Sequence, residues 1–202
     1  MACGPDPSDT QEGTRLTYGD PMDEFASAID TAAAIRAKEV SPLEVLDACL
    51  ARVDTHNPEL NAVIWRNDEE ARAEARALGE RITAGAGDLP PFAGVPVPIK
   101  DLVPVAGQPN TNGSFGTVDG PVDVTELAPQ AYLDAGFILC GRTNTPEFGS
   151  ISVTENVRYG ATRNPWDAPY EKTRTAGSSG RPAGNDRAGR THPARHHSNS
   201  SP

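Results

Sequence analysis

A lysine and an aspartate, Lys100 and Asp101, stand at the end of an alternating apolar run in the segment GVPVPIKDL. One hypothesis is an ordinary surface lysine that pairs with the neighbouring aspartate. The other is a buried lysine, because removal from water disfavours the charged ammonium form. A neutral amine produced in this way can act as a general base near pH 7. The residue type and its position allow a surface lysine as well as a buried one. The segments that follow in the sequence help to decide between these two hypotheses.

Two segments of small residues further along the chain could hold a hydroxyl group against such a base. A glycine-rich loop, NTNGSFG, covers residues 110–116, and TAGSSG covers residues 175–180. On composition alone, Gly-Ser-Ser-Gly is typical of a flexible loop. A catalytic serine here, such as Ser178, would need small neighbours that let the backbone come close and a base within reach. Both interpretations remain open from these residues alone.

Five short segments occur in a fixed order: GVPVPIKDL, the Gly-Ser loop around Ser114, GRTNTPEFG at residues 141–149, NPWD at 164–167 and GSSG at 177–180. Together they resemble the amidase signature family, whose members hydrolyse amides with a Ser–cis-Ser–Lys triad. The resemblance runs from about residue 23 to residue 180. It implies an α/β fold in which a mixed β-sheet is flanked by α-helices, and of which this chain holds the N-terminal part.

The resemblance also implies roles for two residues. Lys100 corresponds to the catalytic lysine, and Ser178 corresponds to the bridging serine that follows a cis peptide bond. In that chemistry the neutral lysine deprotonates the bridging serine, which deprotonates a nucleophilic serine, and water later hydrolyses the acyl-enzyme. The implied partner is a small-molecule amide, with no metal or organic cofactor. His192 and His196 lie four residues apart, but the proline between them and the lack of further ligands argue against a metal site.

The nucleophile of the family has no counterpart in this sequence. A Gly-Gly-Ser-Ile-Arg type block is expected beyond Ser178, but RPAGNDRAGRTHPARHHSNSSP contains nothing like it. The serines at 198, 200 and 201 have no oxyanion block around them, so we expect no nucleophile in this chain. An out-of-frame reading of a GC-rich gene yields such a tail, so we hypothesise a frameshift or premature stop near codons 173–181. We also expect the strands at 95–99 and 137–141 to lack neighbouring strands and covering helices.

Three functional hypotheses follow. The first is an amidase-family hydrolase that cleaves a carboxamide C–N bond. The second, within the same family, is a protein similar to the glutamine-hydrolysing subunit of a tRNA-dependent amidotransferase. The third is a non-catalytic remnant of an amidase. Because chemistry that needs three side chains would have only two, we expect this polypeptide to be inactive.

The elements that must position these residues alternate between helices and strands. Apolar spacing predicts a helix from about residue 23 to Lys38, and SPLE predicts the capped start of a second helix that runs to about His56. A strand at 61–65, a helix over DEEARAEARALGERI and a proline-interrupted strand at 95–99 follow. The prolines require an edge position or irregular pairing. TELAPQAYLDAGFILCGRTN predicts a helix followed directly by a buried strand at 137–141.

Composition limits the partners of the chain. The 202 residues include 18 Lys and Arg against 28 Asp and Glu, a net charge of −10, which argues against nucleic acid or an anionic membrane as the partner. The three cysteines form no disulfide framework, and no signal-peptide layout or membrane-length apolar run occurs, so we expect a cytoplasmic protein. The sequence favours no oligomeric state. We predict a disordered segment at 1–22, an amidase-like domain at 23–180 and a disordered basic tail at 181–202.

Overall fold

The computed structural model describes residues 26–165 of the chain. The predicted disordered segments 1–22 and 181–202, Ser178 and the two tail histidines lie outside the described residues. The helices are α1 (Ala28–Ala37), α2 (Pro42–Leu60), α3 (Asp68–Thr83) and α4 (Leu127–Asp134). The strands are β1 (Val63–Arg66), β2 (Pro96–Lys100), β3 (Ile138–Thr143), β4 (Glu155–Asn156) and β5 (Gly160–Ala161). The predicted alternation of helices and strands is confirmed.

The capping signal at SPLE forms as predicted. The Ser41 hydroxyl accepts a hydrogen bond from the Glu44 backbone N–H at 3.2 Å, and the Ser41 N–H donates to the Glu44 carboxylate at 2.8 Å. Pro42 occupies the first helical position, where its missing N–H would have no partner in any case. These contacts satisfy two backbone donors that α2 would otherwise leave free.

Helix α2 continues one turn beyond its predicted end at His56, through Pro58 to Leu60. The side chain of Asn57 accounts for the extension. Its amide donates to the Val63 carbonyl at 2.8 Å, and its oxygen accepts the N–H groups of Ala62 and Val63, each at 2.8 Å. The last turn of α2 is therefore tied to the first residues of β1.

The sheet that carries Lys100 has the strand order β1-β3-β2, with β1 antiparallel and β2 parallel to the central strand β3. All six residues of β3 are buried. The prediction that the strand at 137–141 lacks neighbours and covering helices is therefore wrong, because β1 and β2 flank it and α3 packs on it. Strand β2 has one partner within residues 26–165, as its prolines predict.

The pairing of β2 with β3 is interrupted by a bulge. Val97 lies opposite Leu139 and Pro98 lies opposite Gly141, so that Cys140 has no opposite residue on β2. Proline has no N–H to donate to a ladder, which favours an irregularity here. Gly141 faces a further constraint, because a Cβ on it would lie 2.5 Å from the Trp65 carbonyl oxygen. Only glycine lets β1 approach β3 at this point.

The core lies on both faces of this sheet. On one face, α2 and α3 pack on β3 through Leu46, Leu50, Ala71, Ala75, Ile138 and Cys140. On the other face, Leu139 packs with Ile99 and Val105, with Leu133 of α4 against them. A third cluster joins α1, α2 and the end of α3. The helices thus fix β2 and β3 as a rigid pair whose carboxyl ends lie side by side.

Candidate functional site

Lys100 lies at the carboxyl end of β2, opposite Thr143 of β3. Its side chain is half-buried, and its ammonium group has no hydrogen bond or ion pair with any residue in 26–165. Burial lowers the pKa of the lysine from its ordinary value of 10.5, because the charged form is less well hydrated. The direction is the one that the buried-lysine hypothesis requires.

Asp101 does not pair with the lysine beside it, so the hypothesis of a simple surface pair is wrong. Its carboxylate is 1% exposed and accepts the backbone N–H groups of Thr111 at 2.9 Å and of Gly113 at 3.3 Å. The Thr111 hydroxyl donates to the same carboxylate. Asp101 therefore holds the glycine-rich loop 110–116 against the end of β2.

A buried arginine supplies the charge that faces this carboxylate. Arg142, in β3, is fully buried, and its Nε lies 3.8 Å from the Asp101 carboxylate. Its Nη2 donates to the Val103 carbonyl and to the Asn110 side-chain oxygen, both at 2.8 Å. Burial lowers the pKa of the guanidinium, and the charge of Asp101 opposes that shift. The pair thus links the glycine-rich loop to the central strand.

The loops that follow β2 and β3 are joined directly to each other. The Phe148 N–H donates to the Asn112 carbonyl at 2.8 Å, and the Ser114 hydroxyl donates to the Glu147 carboxylate. Gly113 has a φ of 66°, and a Cβ on it would lie 2.9 Å from the Thr145 carbonyl oxygen. Glycine is therefore required at position 113, both by the backbone conformation and by the close approach of the second loop.

A network of asparagines holds the segment beyond β3. The amide of Asn144, a fully buried residue, donates to the Thr162 hydroxyl at 3.0 Å and the Gly160 carbonyl at 3.1 Å. Asn156 donates to the Asn144 side-chain oxygen and to the Thr145 carbonyl, each at 2.7 Å. The start of the predicted GRTNTPEFG segment is thereby fixed beside Lys100.

The arrangement places an amine with a lowered pKa at the carboxyl ends of two parallel strands, where open α/β sheets bind ligands. Ser178 lies outside the described residues, so its proximity to Lys100 stays a prediction. Within residues 26–165, no group of three histidine, cysteine or acidic residues could hold a metal ion. In the same range, no helix is long and apolar enough to cross a membrane.

Sequence reasoning missed the residues that hold the site together, namely Asp101 as a loop anchor, Arg142, Asn144 and Asn156. Two signals for them were present. Arg142 lies inside an apolar strand, where an unpaired arginine is rare. The loop 110–113 offers backbone N–H groups from which a carboxylate at a strand end can accept hydrogen bonds.

The chain is similar to a family model and to several known proteins. A family model described as Amidase matches residues 44–183. The chain is 41% identical over 144 residues to a glutamyl-tRNA(Gln) amidotransferase subunit of Acidothermus cellulolyticus, covering 70% of this chain and 28% of that protein. It is 38% identical over 154 residues to indoleacetamide hydrolase of Bradyrhizobium diazoefficiens, covering 76% and 29%.

A solved structure is also similar. The structure of a bacterial aryl acylamidase of the amidase signature enzymes superposes with a TM-score of 0.69 and 31% identity, covering 77% of this chain and 32% of that one. The chain therefore spans less than a third of the length of each of these three relatives.

Proposed function

Because this chain belongs to the amidase signature family, we propose that it supplies the lysine and bridging-serine part of a site that hydrolyses a carboxamide C–N bond. The observation that carries the proposal is Lys100. It lies at the carboxyl end of β2. Its side chain is half-buried, and its amine has a lowered pKa and no partner among residues 26–165. A surface lysine held in an ion pair would have none of these properties.

In the proposed mechanism the neutral amine of Lys100 takes the proton of the Ser178 hydroxyl. Ser178 in turn takes the proton of a nucleophilic serine, whose oxygen attacks the amide carbon. The C–N bond breaks as the amine leaves with a proton, and water hydrolyses the resulting ester. Asp101 and Arg142 do not take part in proton transfer. They hold the loop and strand ends between which Lys100 lies.

The nucleophile is not among the blocks that this sequence contains, so we propose that the 202-residue chain is inactive by itself. A fluorophosphonate probe tests this directly, because it reacts with activated serine hydroxyls. The purified chain should remain unlabelled. Labelling would contradict the proposal of inactivity and would identify a nucleophile within the chain.

The lysine relay is tested in a chimera. Residues 1–180 of this chain are joined to the part of the bacterial aryl acylamidase that follows its aligned region, and hydrolysis of a chromogenic anilide is measured. The chimera should be active, and Lys100→Ala and Ser178→Ala should each lower kcat by about a thousandfold or more. Arg76→Ala, which removes an exposed cation of α3, is the matched control and should retain activity. An active Lys100→Ala chimera with an unchanged thermal melt would contradict the relay.

One alternative is supported by a specific observation. The 41% identity to an amidotransferase subunit favours release of ammonia from glutamine, in a complex with other subunits. Hydrolysis of glutamine rather than an anilide by the same chimera would favour this alternative. A non-catalytic remnant is the third possibility, and an inactive, folded chimera would support it.

The two cysteines that remain as free thiols within residues 26–165 support our proposal of a cytoplasmic location.

A further inference from the structure

Two cysteines line a cavity beside helix α2. It lies on the face of the sheet opposite Leu139 and Leu133. Cys49 belongs to α2, and Cys140 is the bulge residue of β3. Both side chains line one cavity of about 230 Å³ between α2, β1 and β2, and Cys140 is the group that most affects the pKa of Cys49. Cys140 is buried and Cys49 is half-buried. Neither thiol takes part in the proposed amide chemistry.

The surroundings make the two thiols chemically unequal. The hydrogen bond from Cys140 lowers the pKa of Cys49 to about 7, and the nearby charges of Arg52 and Arg66 act in the same direction. The hydrogen bond to Cys49 and burial together raise the pKa of Cys140. The first proton of the pair is therefore lost from Cys49, the more exposed of the two. A reactive cysteine has these features, because the thiolate is the nucleophile and must be reachable.

A third residue of the cavity supports an anionic state there. Arg52 lines the cavity, and its buried Nε has no hydrogen-bond acceptor among residues 26–165. A buried N–H without an acceptor is costly, and a neighbouring negative charge offsets that cost. His56 and Arg66 line the same cavity. The Arg52 Nε is therefore available to a thiolate at Cys49, whereas Arg66 is already ion-paired with Asp54 and Asp68.

We propose that Cys49 and Cys140 form a peroxide-reactive dithiol that closes to a disulfide between α2 and β3. The Cys49 thiolate attacks one oxygen of hydrogen peroxide and breaks the O–O bond. This gives a sulfenic acid and a hydroxide ion, which takes a proton to become water. The Cys140 sulfur then attacks the Cys49 sulfur, the S–O bond breaks, and the Cys140 proton leaves with the oxygen as a second water. Two thiols are oxidised and one peroxide is reduced.

The proposal does not depend on the amidase activity, and the intact 202-residue chain tests it. The chain is treated with hydrogen peroxide, blocked and digested with trypsin without reduction. Cleavage after Lys38, Arg52, Lys100 and Arg142 places the two cysteines in peptides 39–52 and 101–142. We expect these peptides joined, with the loss of two hydrogen masses from the intact chain. The Cys3→Ser variant, which removes the third cysteine, should give the same product.

Two variants separate the steps. Cys140→Ala should leave a sulfenic acid on Cys49 that dimedone traps, and Cys49→Ser should leave the Cys140 peptide unmodified. Oxidation in urea serves as a measurement that needs no variant, because an unfolded chain should pair Cys3 as readily as the other two. A native chain whose cysteines resist peroxide, or that links Cys3 in preference, would overturn the proposal. So would equal yields of the 39–52 and 101–142 link in the native chain and in urea.

Discussion

At the scale of single residues, Lys100 and Asp101 are neighbours in sequence but have unrelated surroundings. The carboxylate is fully engaged with the loop and Arg142, whereas the ammonium has no partner within residues 26–165. The lysine therefore contributes no ion pair to stability and instead bears a cost of burial. That cost exists only while the amine is charged, and this makes it measurable by titration.

Replacement of the lysine by an apolar residue of similar length should reveal that cost. The folded-state pKa of Lys100 lies below the ordinary value of 10.5, so the unfolded state binds more protons between the two values. In that window the stability of the parent chain should rise with pH. At pH 7 we expect Lys100→Met to be more stable than the parent, and we expect the difference to shrink towards pH 10. Urea unfolding at both pH values measures it, and a difference that grows with pH would contradict the assignment.

At the scale of elements, the ends of β2 and β3 depend on the contacts of Asp101. In Asp101→Asn the buried guanidinium of Arg142 would lose the negative charge that faces it. The new amide N–H₂ of the asparagine would also face donors of the loop, where the carboxylate now accepts hydrogen bonds from Thr111 and Gly113. Loss of one partner of a buried ion pair typically costs about 3–5 kcal/mol, and we expect a decrease in the free energy of unfolding in that range. Asp123→Asn, at an exposed position, is the matched control and should change stability by less than about 0.5 kcal/mol. Equal values for the two variants would show that the Asp101 contacts are not stabilising.

The elements themselves follow from local sequence more closely than their arrangement does. SPLE and the leucine spacing fix α2, and the short apolar run before Gly141 fixes β3, because capping and periodicity are short-range effects. The central place of β3, the bulge at Cys140 and the partners of Asp101 arise from residues far apart in the chain. An arginine inside a strand also contradicts the usual exposure of its residue type. Only the folded chain brings Asp101 and the acceptors on Val103 and Asn110 to it.

In the candidate site, too, some residues could be predicted from the sequence, whereas contacts between distant residues could not. Lys100 was predicted because five ordered segments carry a resemblance. Burial lowers its pKa, and its catalytic role stays a prediction. The dithiol of Cys49 and Cys140 was not predicted, because two cysteines 91 positions apart give no sequence signal of contact. Ser178, also predicted by resemblance, lies outside the described residues.

At the scale of the whole molecule, the loops beside the site carry exposed apolar side chains. Phe115 is 70% exposed and Val157 is 86% exposed, and both lie near Arg158, whose guanidinium stacks on the Phe115 ring. Ile151 and Val157 share a shallow pocket with Glu147. Exposed apolar patches of this kind favour association. The net charge of −10 opposes association of two copies of the chain, because like charges repel.

These opposing effects predict that the purified chain self-associates and does so more strongly as salt is added, since salt screens the repulsion but not the apolar contact. Sedimentation velocity at low and high ionic strength measures this. The double variant Phe115→Ser, Val157→Ser should weaken association at both salt concentrations. Ile29→Ser is the matched control, because Ile29 is 70% exposed on α1, outside these loops. If the control weakens association as much as the double variant, or if salt disperses the chains, then the loops beside Lys100 are not the surface that drives it.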